Sequence, residues 1–256
     1  VLRFFSEFCS VNLVLDLGNT LHKCAVFDGD ELLHLESCQQ LQTEHIERIA
    51  DEYQIGAAII SSVDHFDEKL EEQLEHYFKL LKFSQNTRLP IVNAYATPAT
   101  LGKDRLAAAV GSSAAFPAKN VLSIDAGTCI KYDFVRADNH YLGGGVAPGL
   151  VMRLKAMHNF TARLPLISLT PQMLVQQPIL TGDSTTDSML SGAINGALWE
   201  VEGAIAAYSA IYDDLHVIIT GGDASFFELH VKSRIFARPN LVLEGLNTIL
   251  KYNFDI

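Results

Sequence analysis

The chain has 256 residues, of which 19 are Lys or Arg and 30 are Asp or Glu, for a formal net charge of −11. With 48% apolar and 19% charged residues it has the composition of a folded globular protein, long enough for one large domain or two modest ones. The acidic balance and the lack of a basic cluster argue against nucleic acid as a partner, and no apolar run approaches the roughly 20 residues of a membrane-spanning helix.

Cys9, Cys24, Cys38 and Cys129 are too few for a disulfide framework and are not at zinc-ligand spacing, which fits a reducing cytoplasm. Residues 1–10 lack the charged start and apolar stretch of a signal peptide and read as a prefix before the first strand, open to being an extension, a cloning scar or upstream sequence read through from a different start.

In chain order, residues 13–17 are an apolar run expected as a buried strand, and 20–27 as a second. Asp28-Gly29 marks a hairpin turn, and 31–37 return as a third strand. Thr43 is the expected cap of a helix over 44–54. Residues 57–63 are a further buried strand. Phe66, Leu70, Leu74, Tyr77, Phe78 and Leu81 then recur at helical spacing. Residues 90–95 are strand-like, and 102–115 are an Ala-rich helix. After Pro117 the pattern restarts, with strands at 121–126, 129–135 and 141–147. Helices follow near 149–163 and 184–211, then a strand at 215–220, a helix from about 223 and a last helix near 244–252. Three strands joined by turns, followed by alternating helices and strands, thus occur twice. Val14–Thr20 (VLDLGNT) and Ser123–Thr128 (SIDAGT) repeat Asp-x-Gly at a strand end, and the alternation argues for α/β layers.

Asp16, Gly18, Asn19, Thr20 and Lys23 form the first polar constellation. Gly18 can open a tight turn whose N–H groups, with the Asn19 and Thr20 side chains, suit an anion. Lys23 can bring positive charge to a phosphate, and Asp16 can hold a metal ion that offsets phosphate charge. Asp125, Gly127 and Thr128 repeat the arrangement, with Asp133 further on. Thr220-Gly221-Gly222, after an apolar strand, lets a flat ring approach the backbone. Three such turns describe a nucleotide clamped between duplicated halves, a layout that resembles the actin-like ATPase and sugar kinase superfamily. There is no G-x-x-x-x-G-K-[ST] and no G-x-G-x-x-G motif. At the start of the 102–115 helix, Gly102 precedes Asp104, which the helix dipole favours, and Arg105, a fork for a carboxylate.

The set as a whole resembles type III pantothenate kinase over about 12–256. The motifs are D-x-G-N-T-x-x-K at 16–23, N-x-Y-x-x-P-x-x-L-G-x-D-R at 93–105 and D-x-G-T at 125–128. A glycine run leads to Pro148-Gly149-Leu150. T-A-x-L-P at 161–165, G-x-x-T-x-x-x-x-x-S-G at 182–192 and T-G-G at 220–222 complete the order.

The resemblance implies two duplicated actin-like (ribonuclease H-like) α/β domains with a nucleotide cleft between them. Their expected spans are 1–116, joined by a C-terminal helix at about 243–256, and 117–242. It implies a cytoplasmic enzyme that phosphorylates the 4′-hydroxyl of pantothenate with ATP and Mg²⁺, in the first step of coenzyme A biosynthesis. Asp16, Gly18, Asn19, Thr20, Lys23, Thr128, Gly221 and Gly222 then fall on the nucleotide. Tyr95, Gly102, Lys103, Asp104, Arg105 and Thr185 fall on pantothenate, with Asp104 as proton acceptor. Asp125 matches the position of a monovalent cation, potassium or ammonium. The implied assembly is a homodimer with the substrate site near the interface. Met189, Leu190, Ile194, Leu198 and Val201 on the 184–211 helix offer either that contact or a core face. The chain departs from the pattern at Cys129 and Lys131, where a small residue and a Thr are usual; Lys131 would replace or repel the cation. Another kinase of the superfamily, or a nucleotide-binding regulator without catalysis, are the alternatives.

Overall fold

The structure, a computed structural model, describes residues 11–18, 21–62 and 68–256. Residues up to Ala114, together with Leu241–Ile256, form one compact unit, and Ala115–Asn240 form a second.

In the first unit β1 (Val11–Leu17), β2 (His22–Asp28) and β3 (Glu31–Cys38) are an antiparallel meander. Gly29 at φ +58° supplies the left-handed residue of the β2–β3 turn. Helix α1 (Thr43–Glu52) crosses to β4 (Ala57–Ser62), parallel to β1, and α2 (Glu68–Tyr77) leads to β5 (Lys79–Lys82), parallel to β4. A helix fills each crossover because parallel neighbours cannot be joined by a tight turn. The order is β3-β2-β1-β4-β5. The central strands β1 and β4 are apolar on both faces, and Ile46, Ile49, Leu70 and Leu74 of α1 and α2 pack with Leu13, Leu15, Ala58 and Ile60.

Three sequence expectations change here. Gln42, not Thr43, caps α1, in a reciprocal box where the Gln42 N–H donates to His45 Nδ1 at 3.2 Å. The apolar stripe read through to Leu81 leaves the helix after Tyr77, so Leu80 and Leu81 belong to β5; a four-residue apolar strand can continue a helical spacing by chance. Phe66 lies outside the described residues. Of 90–95, only β6 (Val92–Asn93) is a strand; it precedes a 3-10 turn at Pro98–Thr100 and α3 (Lys103–Ala115).

The second unit repeats the scheme. β7 (Asn120–Ala126), β8 (Cys129–Val135) and β9 (His140–Pro148) are again an antiparallel meander. Helices α4 (Leu150–Asn159), α5 (Pro171–Val175) and α6 (Thr185–Leu190) follow. A π-helical turn, Ser191–Asn195, joins α6 to α7 (Gly196–Ser209). β10 (Leu215–Thr220) returns parallel to β7, α8 (Ala224–His230) crosses over, and β11 (Phe236–Ala237) lies parallel to β10. Within this unit the order β11-β10-β7-β8-β9 repeats β5-β4-β1-β2-β3 in every pairing sense. The helix expected at 184–211 is thus interrupted where Ser191 Oγ donates to the Leu180 carbonyl at 2.9 Å and Asn195 Nδ2 to that of Pro178 at 3.2 Å. Its apolar stripe faces inward: Met189, Ile194, Leu198 and Val201 are buried with Leu122, Ile124 and Ile219, and Leu190 packs against them. Four of the five are core and Leu190 packs on it, which decides for the core face between the two readings of this stripe.

The chain then returns to the first unit as α9 (Leu241–Phe254). Asn12 Nδ2 donates to Asn247 Oδ1 at 2.9 Å, and Asn247 Nδ2 to the Gly29 carbonyl at 2.8 Å, which fixes α9 to β1 and the β2–β3 turn. No helix among the described residues is long and apolar enough to cross a membrane.

Candidate active site

In the first unit, Asp16 stands at the end of a strand whose preceding four residues are buried. Across the antiparallel pair it faces Lys23, and across the parallel pair it faces Ser61. Gly18 follows, where a Cβ would lie 3.2 Å from the Leu21 carbonyl. Asn19 and Thr20 lie outside the described residues.

The start of α3 is brought to the same strand ends. Lys103 Nζ donates to the carbonyl of Ser62, the last residue of β4, at 3.0 Å, and Ser62 is in register with Leu17. Gly102 caps α3 by accepting the Leu106 N–H at 3.2 Å. The Asp104 carboxylate folds back over it, so that a Cβ on Gly102 would lie 2.5 Å from Asp104 Oδ1. A carboxylate in the first turn of a helix is stabilised by the exposed N–H groups there. Arg105 is buried, with its guanidinium carbon 5.6 Å from the centre of the Tyr95 ring. Tyr95 is itself held by its N–H, which donates to Asn93 Oδ1 at 3.1 Å. The cation–π contact orients the guanidinium. Asp16 and Lys23 thus stand at the C-terminal end of β1 and its hairpin partner, and Lys103 ties the start of α3, which carries Gly102, Asp104 and Arg105, to the end of β4.

The second unit has the matching arrangement. Asp125 faces Lys131 across β7–β8 and Thr220 across β7–β10. Lys131 Nζ lies 2.7 Å from Asp125 Oδ2. Thr128 is exposed at the β7–β8 turn, and its carbonyl accepts the Gly149 N–H at 3.1 Å. A Cβ on Gly149 would strike the Gly127 carbonyl, and its distance from the Thr128 carbonyl oxygen would be 2.7 Å. Gly221 has φ +97°, a conformation open to glycine, and a Cβ there would come within 2.5 Å of Asp125 Oδ1. Gly222 is exposed with open space around it. Thr185 opens α6, exposed, behind the Ser184 cap whose Oγ accepts the Asp187 N–H at 3.1 Å.

Asp223 escaped the sequence reading. Its N–H donates to the Ala126 carbonyl at 2.9 Å, tying the glycine turn to the end of β7, and burial pushes its carboxyl above the usual range. An acidic residue directly after Thr-Gly-Gly, between an apolar strand and a helix, was the available signal. Among the described residues, no group of three or more His, Cys, Asp or Glu side chains is placed to hold a metal ion. Burial raises the Cys24 thiol far above its ordinary range, and Cys38 is raised likewise, so neither has the thiolate character of a nucleophile.

The type III pantothenate kinase family model matches residues 12–207. A type III pantothenate kinase of Christiangramia forsetii is 45% identical, covering 95% of this chain and 99% of its own. One from Bacteroides fragilis is 41% identical, covering 95% and 98%. Among solved structures, a conserved Baf family protein from Campylobacter jejuni has a TM-score of 0.62 at 20% identity, covering 95% of this chain and all of its own. A sugar kinase-type neighbour, the ROK family glucokinase of Streptomyces griseus, reaches 0.50 at 15% identity, over 94% and 99%. These structural neighbours share the actin-like fold of two mixed α/β units. With the family match over most of its length and relatives above 40% identity over nearly all of it, the chain belongs to the type III pantothenate kinase family.

Proposed function

We propose that the chain transfers the γ-phosphoryl group of ATP to the 4′-hydroxyl of pantothenate, opening the route to coenzyme A. The observation that carries this reading is the start of α3: a carboxylate folded over Gly102, beside a buried Arg105, at the strand ends that also bear Asp16 and Lys23. Phosphoryl transfer depends chiefly on positioning and on stabilising charge. Asp104 takes the proton of the attacking hydroxyl as its oxygen bonds to the γ-phosphorus and the bond to the bridging oxygen of ADP breaks. Arg105, oriented by Tyr95, receives the pantothenate carboxylate, and Lys103, Gly102 and Thr185 complete that subsite. Asp16, Gly18, Asn19, Thr20 and Lys23 serve the phosphates, as Thr128 does from the second unit; Gly221 and Gly222 give the base access to the backbone.

A divalent ion, Mg²⁺, offsets phosphate charge during transfer. The residues fit it: Mg²⁺ at phosphate sites takes one or two carboxylates with phosphate oxygens and water, and Asp16 is such a carboxylate. The enzyme works in the cytoplasm as a homodimer. Exposed apolar side chains of the second unit available to a second copy include Trp199, 52% exposed, and Phe160, 88% exposed. Trp199 is next to Glu200, which accepts from Arg153 Nη2 at 2.5 Å and so ties α7 to α4.

The test is ADP release from Mg²⁺-ATP with and without pantothenate. Release that depends on pantothenate is expected. Nucleotide binding with no pantothenate-dependent release would sink the proposal.

A further inference from the structure

Lys131, on β8, is a charged residue beside the second unit's turn that no part of the phosphoryl-transfer reading uses. It projects from β8 directly opposite Asp125, and its ammonium sits 2.7 Å from Asp125 Oδ2. The two side chains are only 23% and 19% exposed. The other carboxylate oxygen, Oδ1, is overlaid by Gly221, where a Cβ would come within 2.5 Å.

A free monovalent cation, implied at Asp125 by the family resemblance, does not fit this arrangement. The carboxylate charge is already met by an ammonium, a further cation beside it would be repelled, and an ammonium has no lone pair with which to ligate one. The duplication supplies an independent argument. Asp16 and Lys23 face each other across β1–β2 as Asp125 and Lys131 do across β7–β8, with Ser61 and Thr220 as the hydroxyl neighbours on the parallel side. Each unit thus sets a lysine opposite an Asp across the hairpin beside its phosphate-type turn.

We infer that the Lys131 ammonium is a built-in monovalent cation at the second unit's phosphate turn, so that nucleotide binding and turnover proceed without potassium or free ammonium. The inference rests on the kinase reading above.

The experiment compares tetramethylammonium chloride with potassium chloride at equal ionic strength. It reads the affinity for a non-hydrolysable ATP analogue with Mg²⁺ by calorimetry, and pantothenate-dependent ADP release. In the unaltered protein, both are expected to be the same in the two salts. In Lys131→Thr and Lys131→Met, affinity in the potassium-free buffer is expected to fall about ten- to hundredfold, the loss of one charge-assisted contact. Potassium is expected to restore it in Lys131→Thr, whose hydroxyl can ligate. Activation of the unaltered protein by potassium of about tenfold or more, the size of that same contact, overturns the inference with no variant needed. Unchanged affinity in a folded Lys131→Thr overturns it too. No pantothenate-dependent release in either salt would count against the kinase reading alone, because the affinity series still judges Lys131.

Discussion

Asp104 can reach back over residue 102 only because that position carries no side chain. The helix start supplies N–H groups for the carboxylate, and the glycine supplies the space. Asp104→Asn keeps the shape and removes the base. Its expected effect is a loss of turnover of about 10²–10⁴-fold with nucleotide and pantothenate affinity retained, measured by steady-state ADP release and calorimetry. Near-normal turnover would remove Asp104 from the chemistry. Asp223 is a residue of another kind, a carboxyl whose burial favours the protonated form. The native state therefore holds its proton to higher pH than the unfolded chain does, and stability is lost as pH rises through the raised value. Asp223→Asn is accordingly expected to melt higher than the unaltered protein at pH 7, with the gap narrowing as pH falls towards the ordinary carboxyl value of 3.8. A gap that stays constant from pH 7 to pH 4 would mean that burial of the charge is not its source.

At the scale of elements, α3 and α9 approach so closely that glycines are required at the crossing. A Cβ on Gly245 would strike the Ala107 carbonyl, and one on Gly111 would come within 2.6 Å of the Leu241 carbonyl. Backbone cannot move aside as a flexible side chain can. In an open helix, Gly→Ala stabilises by roughly 1 kcal/mol, so the sign of the change at 245 is diagnostic. Gly245→Ala is expected to destabilise by about 1–3 kcal/mol, as overpacking does, and to lower the melting temperature; a higher melting temperature would show that the helices can separate freely. The same crossing sets the position of the site, because α3 carries Asp104 and Arg105 at its first turn and α9 fixes its far end.

The whole molecule is a duplication in which each unit places an Asp, a Lys and a hydroxyl residue on three adjacent strands. The inward stripe of α6 and α7 is used up by the core of the second unit, so a homodimer has to use the outer residues. Light scattering at working concentration is expected to give twice the chain mass of 28.1 kDa, and Trp199→Glu to give monomers. A monomeric unaltered protein would rule the dimer out. An unchanged mass in the Trp199→Glu variant would move the contact away from α7.

Much of the fold was legible because short apolar strands ending in Asp-x-Gly are punctuated by glycine turns, and the second set of three strands repeats the first. The buried strands at 57–62 and 215–220 stood out as apolar runs, since a central parallel strand has no wet face. Short elements such as β5 and β11 were not legible, because two to four residues hold less than one helical turn of periodic signal. The site was legible as residue types and remained open as geometry. From the letters alone, Lys131 was a departure near an acidic residue; strand register placed its ammonium on Asp125. The stripe on α6–α7 fitted a core and a partner equally well, and packing against β7 and β10 decided it. Composition and local spacing act within a few residues along the chain. Register, helix crossing and burial are set by residues far apart in sequence, and these only the tertiary structure decided.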